Sequence, residues 1–479
     1  MTHRYSMEPV DLWIGGERVK PSTGQYFDDR NPEDDSVYAS VALAGPEDVN
    51  RAVAAAQAAF GSYSKTTASQ REAWLAKAAQ LLDERKERFV EVLIDECGVP
   101  LRVANFMHGL SLEMMHAASG MPRWIRGHTL ASDVPGRFSF STRSPLGVVA
   151  AIIPFNVPLI KGVRLSANAL AVGNTVVMLP SEEAPLIAHM LADVYADAGL
   201  PPGAFNVVSG MGYDIGDTLT GHRDVKMVTF TGSSRVGRHI QQICARDNKR
   251  VTLELGGKSP LIVLADADIE RAVAAATHGT FTFQGQACMA STRIYVDRKV
   301  IDEFTDRFVA AARGLQLGDL RAPTTAIGPL ISKRQRDRVT AHVEDARAKG
   351  AAVLTGGNWR GNRFEPTILS GVQEGMTVCR EETFGPVTSI YPITSAEEGL
   401  QLANDSVYGL SAALFTRDVT TAMKYAESIQ SGMLHINASS LHDEPHVPFG
   451  GVGESGFGRE GSDADIEAMT EWKWVTVQQ

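Results

Sequence analysis

From Gly147 onward the chain alternates short apolar runs with amphipathic stretches, and this rhythm limits what it can fold into. GVVAAII, NTVVMLP (Asn174 to Pro180), AFNVVSG and VKMVTFTG are apolar enough to be strands buried on both faces. Between them, APLIAHMLADVYADAG and SRVGRHIQQICARD carry apolar residues at helical spacing, the first stopped by Gly199-Leu200-Pro201-Pro202. After Glu254 the rhythm resumes through SPLIVLAD, DIERAVAAATHGTFTF, STRIYVD and an amphipathic helix from Ile301. AAVLTGG, TSIYPI and AALFTRD are later strands. Such β-α-β order predicts an α/β fold with mostly parallel sheets covered by helices. Residues 47–119 are Ala-rich and read as helix. RFSFSTRS (residues 137–144) alternates like a strand, and EWKWVTVQQ at the C-terminus is one more. There is no internal repeat or long linker, so the domains are expected to interleave.

A chain of 479 residues is long for one core and implies two or three domains. Its net charge of −10 gives no cationic excess to replace counterions on a nucleic acid, so that partner class is excluded. The four cysteines show neither a CxxC pair nor a Cys/His cluster, which argues against structural zinc and fits a reducing cytoplasm. MTHRYSMEPVDLWIGG has no apolar core of a leader peptide. The longest apolar run, Gly147 to Ile160, is broken by Pro154, Asn156 and Pro158 and is too short to span a bilayer, so no membrane partner is expected.

Two motifs carry chemistry. Cys288 lies in FTFQGQACMAS, a glycine- and glutamine-rich turn suited to exposing a thiol. Glu254 lies in VTLELGGKSP, where paired glycines force a tight bend after a strand. A thiolate attacks a carbonyl and a carboxylate activates water, so the pair suggests a covalent thioester route. Taken singly, each has a plainer reading, a packed cysteine and a surface glutamate. Cys97, Cys244 and Cys379 keep the plainer one. FTGSSRVG follows a strand and opens a helix; Gly232 allows the turn and Ser233 can cap the helix toward a phosphate, although no GxGxxG is present.

With IPFNVPL at Ile153, FTGSSRVG at Phe230, LELGGKSP at Leu253, GQACMAS at Gly285, EETFGPV at Glu381 and PFGGVGESGFGRE at Pro448, the chain resembles the NAD(P)-dependent aldehyde dehydrogenases over nearly its whole length. PFN, Arg164, FQGQACM and LHDEPHVPFGG look most like the aromatic branch, which acts on vanillin, benzaldehyde and salicylaldehyde. The resemblance implies a Rossmann-type cofactor domain over 1–121 and 145–254 and an α/β catalytic domain over 255–452. A small β oligomerisation flap would come from 122–144 and 467–479, in a cytoplasmic homodimer or homotetramer. It implies Cys288 as nucleophile, Glu254 as the base for thioester hydrolysis, and Asn156 as an oxyanion donor worth about 3–4 kcal/mol. The cofactor would meet Ile153, Phe155, Glu182, the turn of Gly232, Ser233 and Gly237, and Leu255. Glu382 and Phe384 would hold the nicotinamide ribose, with Gln335 reaching it, and Phe449 would form a pocket wall. Relatives that pass the acyl group to coenzyme A generally lack a glutamate at position 254, so a free acid is the expected product.

Two departures stand out. The lysine that usually grips the adenosine ribose is Leu179, while Glu182 remains and would repel a 2′-phosphate. NAD is therefore expected over NADP, with weak cofactor saturation. A second common lysine is Leu165, with Lys161 one turn before it and Arg164 beside it. Lys161 or Arg164, with Val157 near the tunnel, is expected to meet an anionic end of the substrate; the plainer reading of Lys161 is a snorkelling surface lysine. His442, Asp443, Glu444 and His446 lack a repeated ligand spacing, so no metal is expected. The alternatives are an aliphatic semialdehyde dehydrogenase, a catalytically silent binding relative, and acyl transfer to coenzyme A.

Overall fold

The computed structural model describes residues 8–479; residues 1–7, on which part of the leader-peptide reading falls, lie outside the described residues. An eight-stranded sheet has at its centre the parallel strands Phe205–Val207, Thr175–Pro180, Val148–Ile153, Val225–Thr231 and Arg250–Glu254, in that spatial order. Their order reverses between Val148–Ile153 and Val225–Thr231. That switch point opens a crevice at the C-terminal strand ends, where open α/β sheets bind ligands.

A seven-stranded sheet forms the other half, in the order Ala352–Thr355, Thr367–Ser370, Val387–Ile393, Ser291–Asp297, Ser259–Val263, Ser411–Phe415, Met433–Ile436. All its pairings are parallel except the one at the Ala352–Thr355 edge. Ser259–Val263 and Ser291–Asp297 are buried throughout, which explains the apolar run Pro260 to Val263; in the second strand the buried Arg293 is held by backbone carbonyls. The turn from Glu254 to Ser259 joins the two sheets, so the chain crosses between the halves at the glycine pair.

The Ala-rich region is four helices, Pro46–Tyr63, Ala68–Glu84, Lys86–Cys97 and Leu101–Gly120. Thr67 starts the second with a reciprocal capping box to Gln70. Gly98, at φ +66°, ends the third in the left-handed conformation. Leu101–Gly120 packs on the helix Pro158–Ala171, every residue of which is buried. A helix buried all round is normally apolar all round. This one carries Lys161 and Arg164 into the interior, and both need partners there.

Arg137–Pro145 pairs residue by residue with Thr470–Gln478, and Thr129–Leu130 flanks it in a three-stranded antiparallel sheet. Other strands have no clear local signal. Leu12–Ile14, Glu17–Val19, Tyr26–Arg30 and Val37–Ala42 are short N-terminal strands. Gly456–Phe457 returns from the C-terminal region to the Arg250–Glu254 edge, pairing Leu253 with Phe457 and Glu254 with Gly456. The first sheet is therefore completed by residues far beyond 254.

Candidate active site

Three backbone segments converge between the sheets. Asn156 follows the strand Val148–Ile153, Glu254 ends Arg250–Glu254, and Cys288 precedes Ser291–Asp297. The Asn156 amide donates to the Gln286 carbonyl at 2.9 Å, two residues before the thiol. One of its two amide hydrogens is thereby committed and the other remains for an incoming oxygen. A side chain on Gly257 would place its Cβ 2.3 Å from the Cys288 carbonyl oxygen, so only glycine lets the Glu254 turn lie against the cysteine segment.

The approach to Cys288 is strained. Phe283, Gln284 and Gly285 have φ of +54°, +54° and +66°, a left-handed run that includes two side-chain-bearing residues. Gly285 packs so tightly on Gly385 that a Cβ would fall 2.2 Å from its carbonyl oxygen. Gln286 secures the turn by accepting from the Ile331 N–H at 3.1 Å. Cys288 itself is half-buried. Burial pushes its thiol up to about 12, and the Lys161 ammonium pulls the other way. The resting thiol is therefore protonated at neutral pH and needs a base to react.

Glu254 is buried, and among the described residues neither carboxylate oxygen has a hydrogen-bond partner. Burial and then the nearby Glu460 raise its pKa well above the usual carboxylate range, with Lys161, Arg459 and Arg164 opposing. A desolvated carboxyl with both oxygens uncommitted is a candidate for proton transfer. Gly450 gives it room: a Cβ there would lie 2.6 Å from Oε1.

Lys161 and Arg164, expected to offer a cation to an anionic substrate, are both buried and paired with carboxylates, which argues against that role. The Lys161 Nζ donates to Glu460 at 2.5 Å and sits 4.6 Å from the centroid of the Phe449 ring. Burial works against this ammonium, but Glu460 and Glu254 outweigh it and its pKa stands above the ordinary lysine value. Arg164 grips Asp443 with two bonds of 2.9 and 3.0 Å, donates to the Glu444 carbonyl at 2.9 Å, and lies 5.3 Å from the same ring. Both cations are paired with carboxylates inside the protein, the Arg164 Nε alone being left without a partner. Val157 stands half-buried at the N-cap of their helix. Phe449, expected at a pocket wall, is 2% exposed and packs its ring against both cations. The sequence reading missed Glu460 and Asp443 as partners; Glu460 was visible only as a letter of the GFGRE motif, 299 residues from Lys161.

On the crevice side, Ser233 caps the helix Ser234–Arg246, accepting from the Val236 N–H at 3.5 Å. Gly232 donates to the Glu254 carbonyl at 3.0 Å, tying the phosphate-type turn to the base. Gly237 admits Leu255, whose methyl would lie 2.4 Å from a Cβ there, so these two meet each other. Ile153 is buried at its strand end, in register with Pro180. Leu179 is buried, and Glu182 lies 3.9 Å from Arg334 across the crevice. Phe155 meets Phe384 edge-on at 5.8 Å, and Phe384 is itself held at φ +56°. Gln335 donates to the Thr383 and Phe384 carbonyls at 2.9 and 2.6 Å. Its amide nitrogen braces that loop, where a free ribose contact was expected. Glu382 accepts from the Gly257 N–H at 3.0 Å. A helix N-terminus facing a switch-point crevice, with acidic acceptors on both flanks, fits a dinucleotide with its pyrophosphate and ribose diols.

The sequence matches the aldehyde dehydrogenase family over residues 19–475. It is similar to a vanillin dehydrogenase of Pseudomonas fluorescens, 42% identical over 475 residues and 98% of each sequence. A benzaldehyde dehydrogenase (NAD+) of Pseudomonas putida is 39% identical over 449 residues, 93% of this chain and 92% of that one. Among solved structures, a salicylaldehyde dehydrogenase from Pseudomonas putida G7 complexed with salicylaldehyde superposes with a TM-score of 0.96, at 37% identity over 98% of each chain. Among the described residues no helix is long and apolar enough to cross a membrane.

Proposed function

The chain belongs to the aldehyde dehydrogenase family, an NAD(P)-dependent oxidoreductase by that membership, and we propose that it oxidises aromatic aldehydes to carboxylic acids with NAD+ through a thioester on Cys288. The observation that carries this reading is the convergence of Cys288, Asn156 and a buried, unpartnered Glu254 on one point between the sheets. In this reading Ser233 and the helix behind it, with Gly232, hold the pyrophosphate. Glu182 takes the adenosine ribose, and Glu382 takes the nicotinamide ribose. When bound, the cofactor supplies the hydride acceptor. Cys288 adds to the aldehyde carbon once a base has taken its proton. The free N–H of Asn156 stabilises the oxygen as charge develops on it. Glu254 then takes a proton from water so that hydroxide attacks the thioester carbon, sulfur leaves as thiolate, and the acid is released.

Aromatic substrates are supported by the vanillin, benzaldehyde and salicylaldehyde names of the relatives. An aliphatic semialdehyde with an anionic tail is disfavoured, because Lys161 and Arg164 are consumed by Glu460 and Asp443. NAD+ is favoured by Glu182 next to a buried Leu179, with Arg334 within reach of Glu182 to moderate that preference. We also infer a cofactor domain from 1–121 and 145–254, a catalytic domain from 255–452, and a flap from 122–144 and 467–479 that joins subunits in a dimer or tetramer. The test is NADH formation over a panel of vanillin, benzaldehyde and succinic semialdehyde, without coenzyme A, by wild type and Cys288→Ala. Turnover of the aromatic members by the wild type alone is expected. Faster turnover of the semialdehyde, or a requirement for coenzyme A, overturns the assignment.

A further inference from the structure

Gln284 is a buried amide four residues before Cys288, and the chemistry above gives it no part. Its Nε2 donates to the Gly98 carbonyl at 2.9 Å and to the Pro329 carbonyl at 3.0 Å. Both neighbours can only accept, so the carboxamide has one orientation and both its hydrogens are committed. These bonds hold an unfavourable piece of backbone. Phe283 and Gln284, each at φ +54°, carry side chains in the left-handed region, which persists only where the surroundings enforce it. Phe283 does so by packing, buried in the same core as Cys97 and Val99 of the first half. Gln284 does so by bridging Gly98, which ends the helix Lys86–Cys97, to Pro329. The fit is close: a Cβ on Gly328 would fall 2.8 Å from the Gln284 Nε2 and 2.2 Å from the Gly98 carbonyl oxygen. Between Gln284 and the thiol the chain has little freedom. Gly285 abuts Gly385, and the Gln286 N–H donates to the Phe283 carbonyl at 2.9 Å. The Gln286 side chain accepts from the Ile331 N–H, and its carbonyl accepts from Asn156. A displacement at Gln284 is therefore passed on to Cys288 and to its register with Asn156.

We propose that Gln284 is a positioning residue for the nucleophile: by bridging Gly98 and Pro329 it holds the left-handed run that sets the Cys288 sulfur against the Asn156 amide. This rests on the nucleophile role given to Cys288 above. A reacting group displaced by about 1 Å loses about 10²-fold in rate. The residues assigned to NAD+ lie on other segments, so cofactor binding is left as it was.

The test is single-turnover NADH formation by the full-length protein, in excess over benzaldehyde and saturated with NAD+, beside calorimetric measurement of the NAD+ Kd. Gln284→Met keeps the length and loses both donors. Its single-turnover rate should fall about 10²-fold while its Kd stays within about twofold of wild type. Gln284→Glu is the conservative rescue. Its carboxyl, buried against two carbonyls, favours the neutral form and then donates one bond. At pH 6 it should therefore be about tenfold faster than Gln284→Met and about tenfold slower than wild type. Asn206→Leu is the structural control. Asn206 is as buried, donates to the Val176 and Gly203 carbonyls, and sits on the strand Phe205–Val207, none of whose residues enters the site described. Its loss should lower the melting temperature and leave the single-turnover rate at the wild-type value. A Gln284→Met protein with the wild-type rate overturns the proposal. So does an equal loss of rate in Asn206→Leu, or a loss of NAD+ affinity in Gln284→Met as large as its loss of rate. If Gln284→Met does not fold, Gln284→Glu decides alone, and the wild-type rate at pH 6 overturns the proposal. Cys288→Ala separates the premise. Turnover that survives it removes the nucleophile reading itself, whereas its loss beside an unchanged Gln284→Met removes only the role of Gln284.

Discussion

Each residue at this site has its reactivity set by what surrounds it. Asn156 commits one amide hydrogen to the Gln286 carbonyl, which leaves the other for the oxyanion role proposed for it. Asn156→Ala should lower kcat by about 10²–10³-fold with little change in thermal midpoint, measured by steady-state NADH formation beside a melting curve. An unchanged kcat would remove Asn156 from the chemistry. Lys258 allows a stability prediction of known sign. Its folded pKa of about 7 lies below the ordinary lysine value, so the unfolded chain binds more protons between pH 7 and about 10.4. Stability from this group therefore rises with pH across that window and is lowest below it. Lys258→Met should raise the melting temperature more at pH 6.5 than at pH 9.5. An equal or reversed gain would mean that the ammonium is not desolvated. Cys288, Glu254 and Asn156 were legible in the sequence because glycines and turns surround them at family spacings. The partners of Lys161 and Arg164 were not legible. A cation near a tunnel looks like a substrate partner until Glu460 and Asp443, hundreds of residues away, are seen to hold it.

At the scale of elements, the helix Pro158–Ala171 shows how a buried surface restricts its own chemistry. It follows the oxyanion segment directly and passes through the core with two cations on board. Lys161 and Glu460 are both nearly inaccessible, so removing one partner strands a charge. Lys161→Met should destabilise the protein by about 3–5 kcal/mol in denaturant unfolding. Its relative rates on benzaldehyde and 4-carboxybenzaldehyde should match wild type. A selective loss on the carboxylated aldehyde would restore the substrate-binding reading that the structure argues against. The parallel strands and their helices were readable from sequence because burial on both faces leaves apolar runs such as Val148–Ile153 and Pro260 to Val263. The Gly456–Phe457 strand was not. It has almost no side-chain pattern, and it exists because the Arg250–Glu254 edge needs a hydrogen-bonding partner.

At the scale of the whole molecule, the two large sheets are stitched by a glycine turn and a returning C-terminal segment, with Cys288 at the seam. The strand Thr470–Gln478 sits at a sheet edge and bears Trp474 and Trp472, 69% and 38% exposed, near Phe138 at 50%. An edge that open and apolar is relieved by a second copy. Trp474→Glu should shift a dimer or tetramer toward monomer in light scattering; a monomeric wild type would contradict the oligomer reading. The interleaving of the halves followed from the absence of linkers, but which strands closed the first sheet depended on contacts that no local window contains. The central claim is that both halves serve one acyl transfer through one sulfur. It is tested most directly by intact-protein mass spectrometry of Glu254→Gln during oxidation of benzaldehyde. The account predicts a single acyl adduct mapped to Cys288, formed with a burst of about one NADH per active site and absent in Cys288→Ala. Continued NADH formation with no adduct, or oxidation by Cys288→Ala at the wild-type rate, would contradict it.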